Sequence, residues 1–214
     1  MKAYWLRAIG CWLLATGCSP AGGLPAGEHS TKAAVFDSAR PWRKPGDVID
    51  SLKPMAELIA RFRAGTDEPR GFSGGAPNRE SLVRRFLAAV SGRDRAGLEQ
   101  LVLSRDEFAW LFFPDHPYAR PPYDLDPEIF WLQLQSQSLR GSSRVLARLG
   151  GKPLGLLSMT CQDDRFQSTG KTRVWTACRV RYQSGSTSGD ERLFGSIVGQ
   201  GGQFKFLSLG IQER

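Results

Sequence analysis

The spacing of apolar residues changes once along this chain, at residues 150–154, and that change constrains the fold more than any other feature. Up to Leu149 apolar side chains recur every three or four positions, the spacing of one helix face. From Leu154 onward they alternate, as strand residues do. Gly150-Gly151 marks the boundary as a helix stop. Helices first and strands last predict an α+β fold, with N-terminal helices covering one face of a C-terminal four-stranded antiparallel meander. The strands are expected near 154–162, 172–183, 191–198 and 203–210, with Gly199-Gln200-Gly201-Gly202 as the last tight turn.

The helical half has its own punctuation. Pro54 suits a first helical position, and Met55, Leu58, Ile59 and Phe62 follow it at helical spacing. After a Gly- and Pro-rich linker over 65–77, Asn78 can cap a helix that carries Val83, Phe86, Leu87 and Val90. Gly92 ends that helix and Asp94 can cap a turn bearing Leu98, Leu101 and Val102. Ser104-Arg105-Asp106-Glu107 fits a capping box ahead of Phe108, Trp110, Leu111 and Phe112. Residues 113–126 contain four prolines, which exclude a regular element. Asp126-Pro127 then opens a helix predicted to reach Leu149, with a break near Gly141.

The passage LVRRFLAAVSGRDRAGLEQLV, a helix, a Gly-Arg-Asp break and a second short helix, resembles the nuclear transport factor 2-like, or cystatin-like, cone. The resemblance spans roughly residues 79–211. It implies helices packed into the concave side of a curved sheet, with a pocket between them. Some members of that superfamily are isomerases, dehydratases or cyclases with an Asp or His in the pocket, and others only bind ligands or partners.

The first seventeen residues, MKAYWLRAIGCWLLATG, precede Cys18-Ser19. Lys2 and Arg7, a short apolar stretch and small residues before the cysteine resemble a bacterial lipoprotein signal peptide. An apolar run of about ten residues is too short for the ~20 that span a bilayer, so a cleaved signal is expected. The resemblance implies acylation of Cys18, and Ser19 after it implies the outer membrane. Several acyl chains hold a protein firmly to a bilayer, where one does not. The alternative is an ordinary secretory signal cut after Ala21 or Ala26, giving a soluble periplasmic or secreted protein; both readings export the chain. Residues 18–50, broken by prolines and glycines, read as a lipidated N-terminus and tether. Residues 51–214 are long enough for one domain.

Formal net charge is +8, and loss of Lys2 and Arg7 with the signal would leave +6. Basic residues are scattered rather than clustered, and export sets nucleic acid aside as a partner. Acidic polysaccharide, an envelope protein and a small apolar ligand remain. Cys11 leaves with the signal and Cys18 takes lipid, so Cys161 and Cys178 form an even pair. In an oxidising compartment such a pair suggests a disulfide. Pairing them places Met159 opposite Val180 and Leu157 opposite Tyr182 on shared strand faces. The other reading is two buried thiols. Neither has a Cys or His neighbour at metal-ligand spacing, and no metal or cofactor is expected.

Residues with chemistry are few. His116 beside Asp115 is the one candidate base outside the tether, where His29 sits; its alternative is a loop histidine bonded to backbone. Tyr118, Tyr123 and Trp131 read as a closed end of the core or as a binding wall. Arg179 and Arg181, with Trp175 and Ala177 placed on the same strand side, read as a solvated face or as a surface for an anionic or saccharide partner. The glycine-rich stretches lack the lysine of a phosphate loop, and no nucleophile elbow is present. Three functions follow as expectations: a non-catalytic, membrane-tethered ligand- or protein-binding domain; a small envelope hydrolase or isomerase using His116 or a loop aspartate; or an assembly interface through Arg179 and Arg181.

Overall fold

The computed structural model describes residues 53–211. The signal-like segment, Cys18, His29 and the whole of the tether reading lie outside the described residues.

Helix α1 (Met55–Arg63) begins one residue after Pro54. Helix α2 (Arg79–Ser91) is capped by Asn78, whose side chain accepts the Ser81 N–H. Helix α3 (Arg95–Gln100) is capped in the same way by Asp94, which accepts the Gly97 N–H. The Ser104–Glu107 capping box opens α4 (Arg105–Glu107), which widens at once into a π-helical turn, Phe108–Phe112. Two single 3-10 turns follow, Phe113–Asp115 and Pro117–Ala119. Helix α5 (Pro127–Leu149) starts at the Asp126 cap and stops at Gly150. It runs through Gly141 without the expected break. A Cβ at that position would collide with the Leu209 carbonyl, so the glycine serves a close approach of the chain end.

The sheet has five strands, not four: β1 (Leu154–Asp163), β2 (Arg173–Ser184), β3 (Thr187–Glu191), β4 (Ile197–Gln200) and β5 (Gln203–Phe206). All pairings are antiparallel. Nor is it a simple meander. The start of β2 pairs with β4 and its end with β3, so one long strand carries two partners on the same edge. The strand expected over 191–198 falls across the Arg192–Ser196 loop that separates them. Strand β3, TSGDE, has no apolar alternation and gave no signal. Gly201-Gly202 makes the final hairpin turn with both φ positive, 57° and 76°, the requirement of a tight two-residue loop.

Helical segments cover both faces of this sheet rather than one. Trp175 pairs with Ile197, and the next pair is Val174 with Val198. Trp175 and Ile197 pack with α2, through Val83, Phe86 and Val90. Val174 and Val198 pack on the opposite side with Phe108, Phe113 and Phe130. Helix α5 serves both: Phe130, Trp131 and Leu134 lie in the second core, Val145 and Leu149 in the first. The free edge of β5 is occupied by chain from the helical half. Ala76 exchanges both backbone hydrogen bonds with Phe204, and the Leu103 N–H donates to the Phe206 carbonyl.

Cys161 and Cys178 form a disulfide, with a sequence separation of 17. The register around it is irregular at two points. Thr160 pairs with Arg179 and Gln162 with Thr176, so Ala177 and Cys178 together face Cys161. This is a bulge, and Ala177 takes φ of 50° there. Met159 does oppose Val180, but Tyr182 is opposed by Leu156, because Leu157 is an extra residue in β1 and half-exposed. A bulge exchanges the faces on either side of it. Trp175 therefore shares a face with Cys178 and not with Arg179, which corrects the expected Trp175–Arg179–Arg181 surface.

Candidate functional site

His116 and Asp115 do not form an acid–base pair. His116 is 1 % exposed, enclosed by the rings of Phe112, Tyr118 and Phe130 at centroid distances of 5.0, 4.8 and 5.5 Å. Its Nδ1 accepts the Tyr118 N–H at 3.2 Å, so the neutral ring carries its proton on Nε2. That proton points to Gln167 Oε1 at 3.4 Å, and the Gln167 amide donates in turn to Asp164 at 2.9 Å. Burial pulls the imidazolium down to about 4 from its ordinary 6.5, with the Gln167 bond and Asp164 opposing and Arg120 adding slightly. Asp115 is exposed and bonds Arg120 through its backbone carbonyl. With one ring nitrogen protonated and the other engaged, His116 fastens the proline-rich loop to the β1–β2 turn. The same chain of bonds positions Tyr118 and Gln167.

The other sequence candidates separate. Trp131 is buried against Phe108. Trp175 is half-buried, with the Arg79 guanidinium 4.8 Å above its ring. Arg179 is bonded to Asp190 at 3.1 Å, and Arg181 is exposed on the same face. Tyr118 and Tyr123 do meet, 5.3 Å apart, and Phe166 completes an aromatic rim with them at 6.2 and 5.8 Å. Tyr123 and Phe166 are half-exposed.

Of these three only Tyr118 also lines a cavity, of about 280 Å³, between α5 and the sheet. Tyr118 and Phe130 form its aromatic wall. Gln137 enters from α5, Gln162 from β1, Gln167 from the turn, Thr176 and Ala177 from the bulge of β2, and Arg192 and Ser196 from the β3–β4 loop. Two polar atoms in these walls are shut off from solvent without a partner, Arg192 Nε and Gln137 Oε1. Buried polar atoms are almost always satisfied, so an unpaired donor and an unpaired acceptor on residues of one cavity set it apart from the other grooves; the third such atom, Ser91 Oγ on α2, borders none of them. The sequence reading expects a pocket between helix and sheet and names Tyr118, but it names none of the polar residues that line this one. Its lining comes from seven separate segments, and Gln and Ser residues carry no motif.

Three larger grooves lack such groups: one of about 410 Å³ beside Asn78, Arg79, Glu80 and Met159, and two others. Of those two, one, of about 880 Å³, borders Glu107 and Lys205, a buried ion pair of 2.8 Å. Both Glu107 oxygens are engaged, one by the Ser73 N–H and the other by the Ser104 N–H and Lys205, while Lys205 also donates to the Ser73 carbonyl. The pair is a satisfied structural clamp. The other groove, of about 600 Å³, runs along α5 past the half-exposed Leu132 and Leu139 and is mainly apolar. Among the described residues no cluster of three or more His, Cys, Asp or Glu side chains is placed to hold a metal ion. No helix among them is long and apolar enough to cross a membrane.

No family model matches this chain, and no curated protein or solved structure matches it either.

Proposed function

We propose that this is an exported, lipid-anchored protein of the bacterial envelope whose single domain binds a small ligand without transforming it. The observation that carries the binding half is the cavity behind Tyr118, with its unpaired Arg192 Nε and Gln137 Oε1. Aromatic walls with a few convergent polar groups suit small-molecule recognition. The non-catalytic half is supported by His116, which has both nitrogens engaged and no carboxylate on its ring. The address rests on Lys2, Arg7, the short apolar run and Cys18. The disulfide accords with an oxidising compartment. In the same reading the domain is a variation on the nuclear transport factor 2-like arrangement, a cavity held between helix and sheet.

Three variants tested in the native host separate the readings. Cys18→Ala moves the protein from the membrane fraction to the soluble one. Gln162→Trp, at an exposed cavity position, blocks the mouth and abolishes function. His116→Asn retains function, because its Oδ1 can still accept the Tyr118 N–H. Loss of function in His116→Asn, with Gln162→Trp fully active, would establish the enzyme reading instead.

A further inference from the structure

We infer that the cavity behind Tyr118 recognises a small hydroxylated carboxylate, of the sugar-acid class, and that Arg192 holds its carboxylate. The inference rests on the ligand-binding reading above and adds the chemistry of the ligand.

Arg192 is the only lining residue with a formal charge; the others are Gln, Ser, Thr, Gly, Ala, Leu, Phe and Tyr. A guanidinium is always protonated and has five N–H donors to satisfy. Its Nε–H is sealed from solvent with no partner, an arrangement that costs free energy until an acceptor arrives. The chain's own carboxylates nearby are committed elsewhere. Glu191 accepts the Tyr182 hydroxyl at 2.6 Å and pairs with Arg148, Asp164 holds Gln167, and Asp163 lies 3.6 Å from Arg173. Arg144 and Arg148 line a small adjoining cleft together with Arg192, which adds to the positive potential. A carboxylate matches the planar fork of an arginine with two parallel hydrogen bonds.

The rest of the wall asks for hydroxyl groups. Gln137, Gln162 and Gln167 supply amides, and Ser196, Ser208 and Thr176 supply hydroxyls. The unpaired Gln137 Oε1 requires a donor, which an alkyl carboxylate lacks; phosphate keeps an O–H at neutral pH and so tests whether the sugar ring itself is needed. A volume of 280 Å³ is roughly nine liquid-water volumes, room for one monosaccharide. Tyr118 and Phe130 offer flat apolar faces beside the polar interior.

The test is calorimetric titration of the full native chain with D-glucuronate, using D-glucose as the uncharged counterpart and inorganic phosphate as the bare anion. D-glucuronate is expected to saturate one site per chain. Arg192→Gln should weaken it at least tenfold, while Arg181→Gln, which changes an exposed arginine of the same sheet, leaves it unchanged. A second readout needs no variant: in protein labelled with 15N at arginine, the Arg192 Nε–H resonance moves with D-glucuronate and not with D-glucose. Absence of both heat and resonance shift with D-glucuronate overturns the inference and leaves the two unpaired atoms to water. Equal binding of D-glucose overturns the role of the charge, and phosphate binding as tightly as D-glucuronate overturns the sugar-acid class. The wider binding reading fails separately, through full activity of Gln162→Trp in the host.

Discussion

The two faces of the sheet are built from the same strands to different specifications. The face under α2 is dry: Phe86, Phe194 and Phe206 meet edge-on or tilted at 4.6 to 5.5 Å, and the disulfide fastens the strands beneath them. The opposite face has an equally dense aromatic centre around Phe108, but its margins are polar. Glu107 and Lys205 are buried at one side, His116 at another, and the cavity with Arg192 lies between α5 and the bulge. Buried polar groups are costly unless satisfied. The polar face keeps several of them, two unsatisfied atoms among them, whereas the opposite face keeps few, Ser91 Oγ at the end of α2 being the unsatisfied one.

That contrast can be broken most forcefully at the buried ion pair. Glu107→Ala leaves Lys205 charged, buried and short of its carboxylate, and should lower unfolding free energy by about 3–5 kcal/mol. The double variant Glu107→Gln with Lys205→Met should recover most of that loss, as measured by urea unfolding. A double variant as unstable as the single one would mean the pair contributes more than a satisfied clamp. On the dry face, Cys161→Ser with Cys178→Ser opens a 17-residue span and should cost about 3 kcal/mol by loop entropy, read as a lower thermal midpoint with an unchanged circular-dichroism spectrum.

The smallest effect is a pH dependence confined to the polar face. His116 has a folded-state value of about 4 against an ordinary 6.5, so the unfolded chain binds the proton that the folded chain refuses. The stability it confers is therefore complete above pH 6.5 and declines as pH falls toward 4, by about 1.4 kcal/mol per unit in that window. Between pH 7.5 and pH 5 the loss should be about 2 kcal/mol. His116→Asn should flatten that slope in a series of urea titrations. An unchanged slope in the variant would assign the acid sensitivity to other groups.

Local signals made much of the helical half legible. Asn78, Asp94, Ser104 with Glu107, and Asp126 all cap as their spacing requires, because a cap is decided within four residues. Cys161 and Cys178 suggest a pair from their even number in a chain read as exported, and the bulge beside them shifts the register without separating them. What stayed hidden depends on distance or on a single inserted residue. The bulge at Ala177 shifts the count by one, which is why Trp175 was placed beside Arg179. Glu107 was read as a cap, correctly, but its bond to Lys205 spans 98 residues. The cavity is assembled from a helix, two strands, the Tyr118 turn, the β1–β2 turn, the β3–β4 loop and the stretch after β5. No local pattern in any of them implies the others.

Helix α5 has a consequence for how the molecule comes apart. Its first turns are embedded in one core and its last turns in the other, and Leu209–Gly210 press on its middle at Gly141 and Gln137. Neither core can open while that rod stays whole, so melting should be a single cooperative event. Gln137 lies near the midpoint of that helix and lines the cavity. Occupancy at that point would tighten the entire domain.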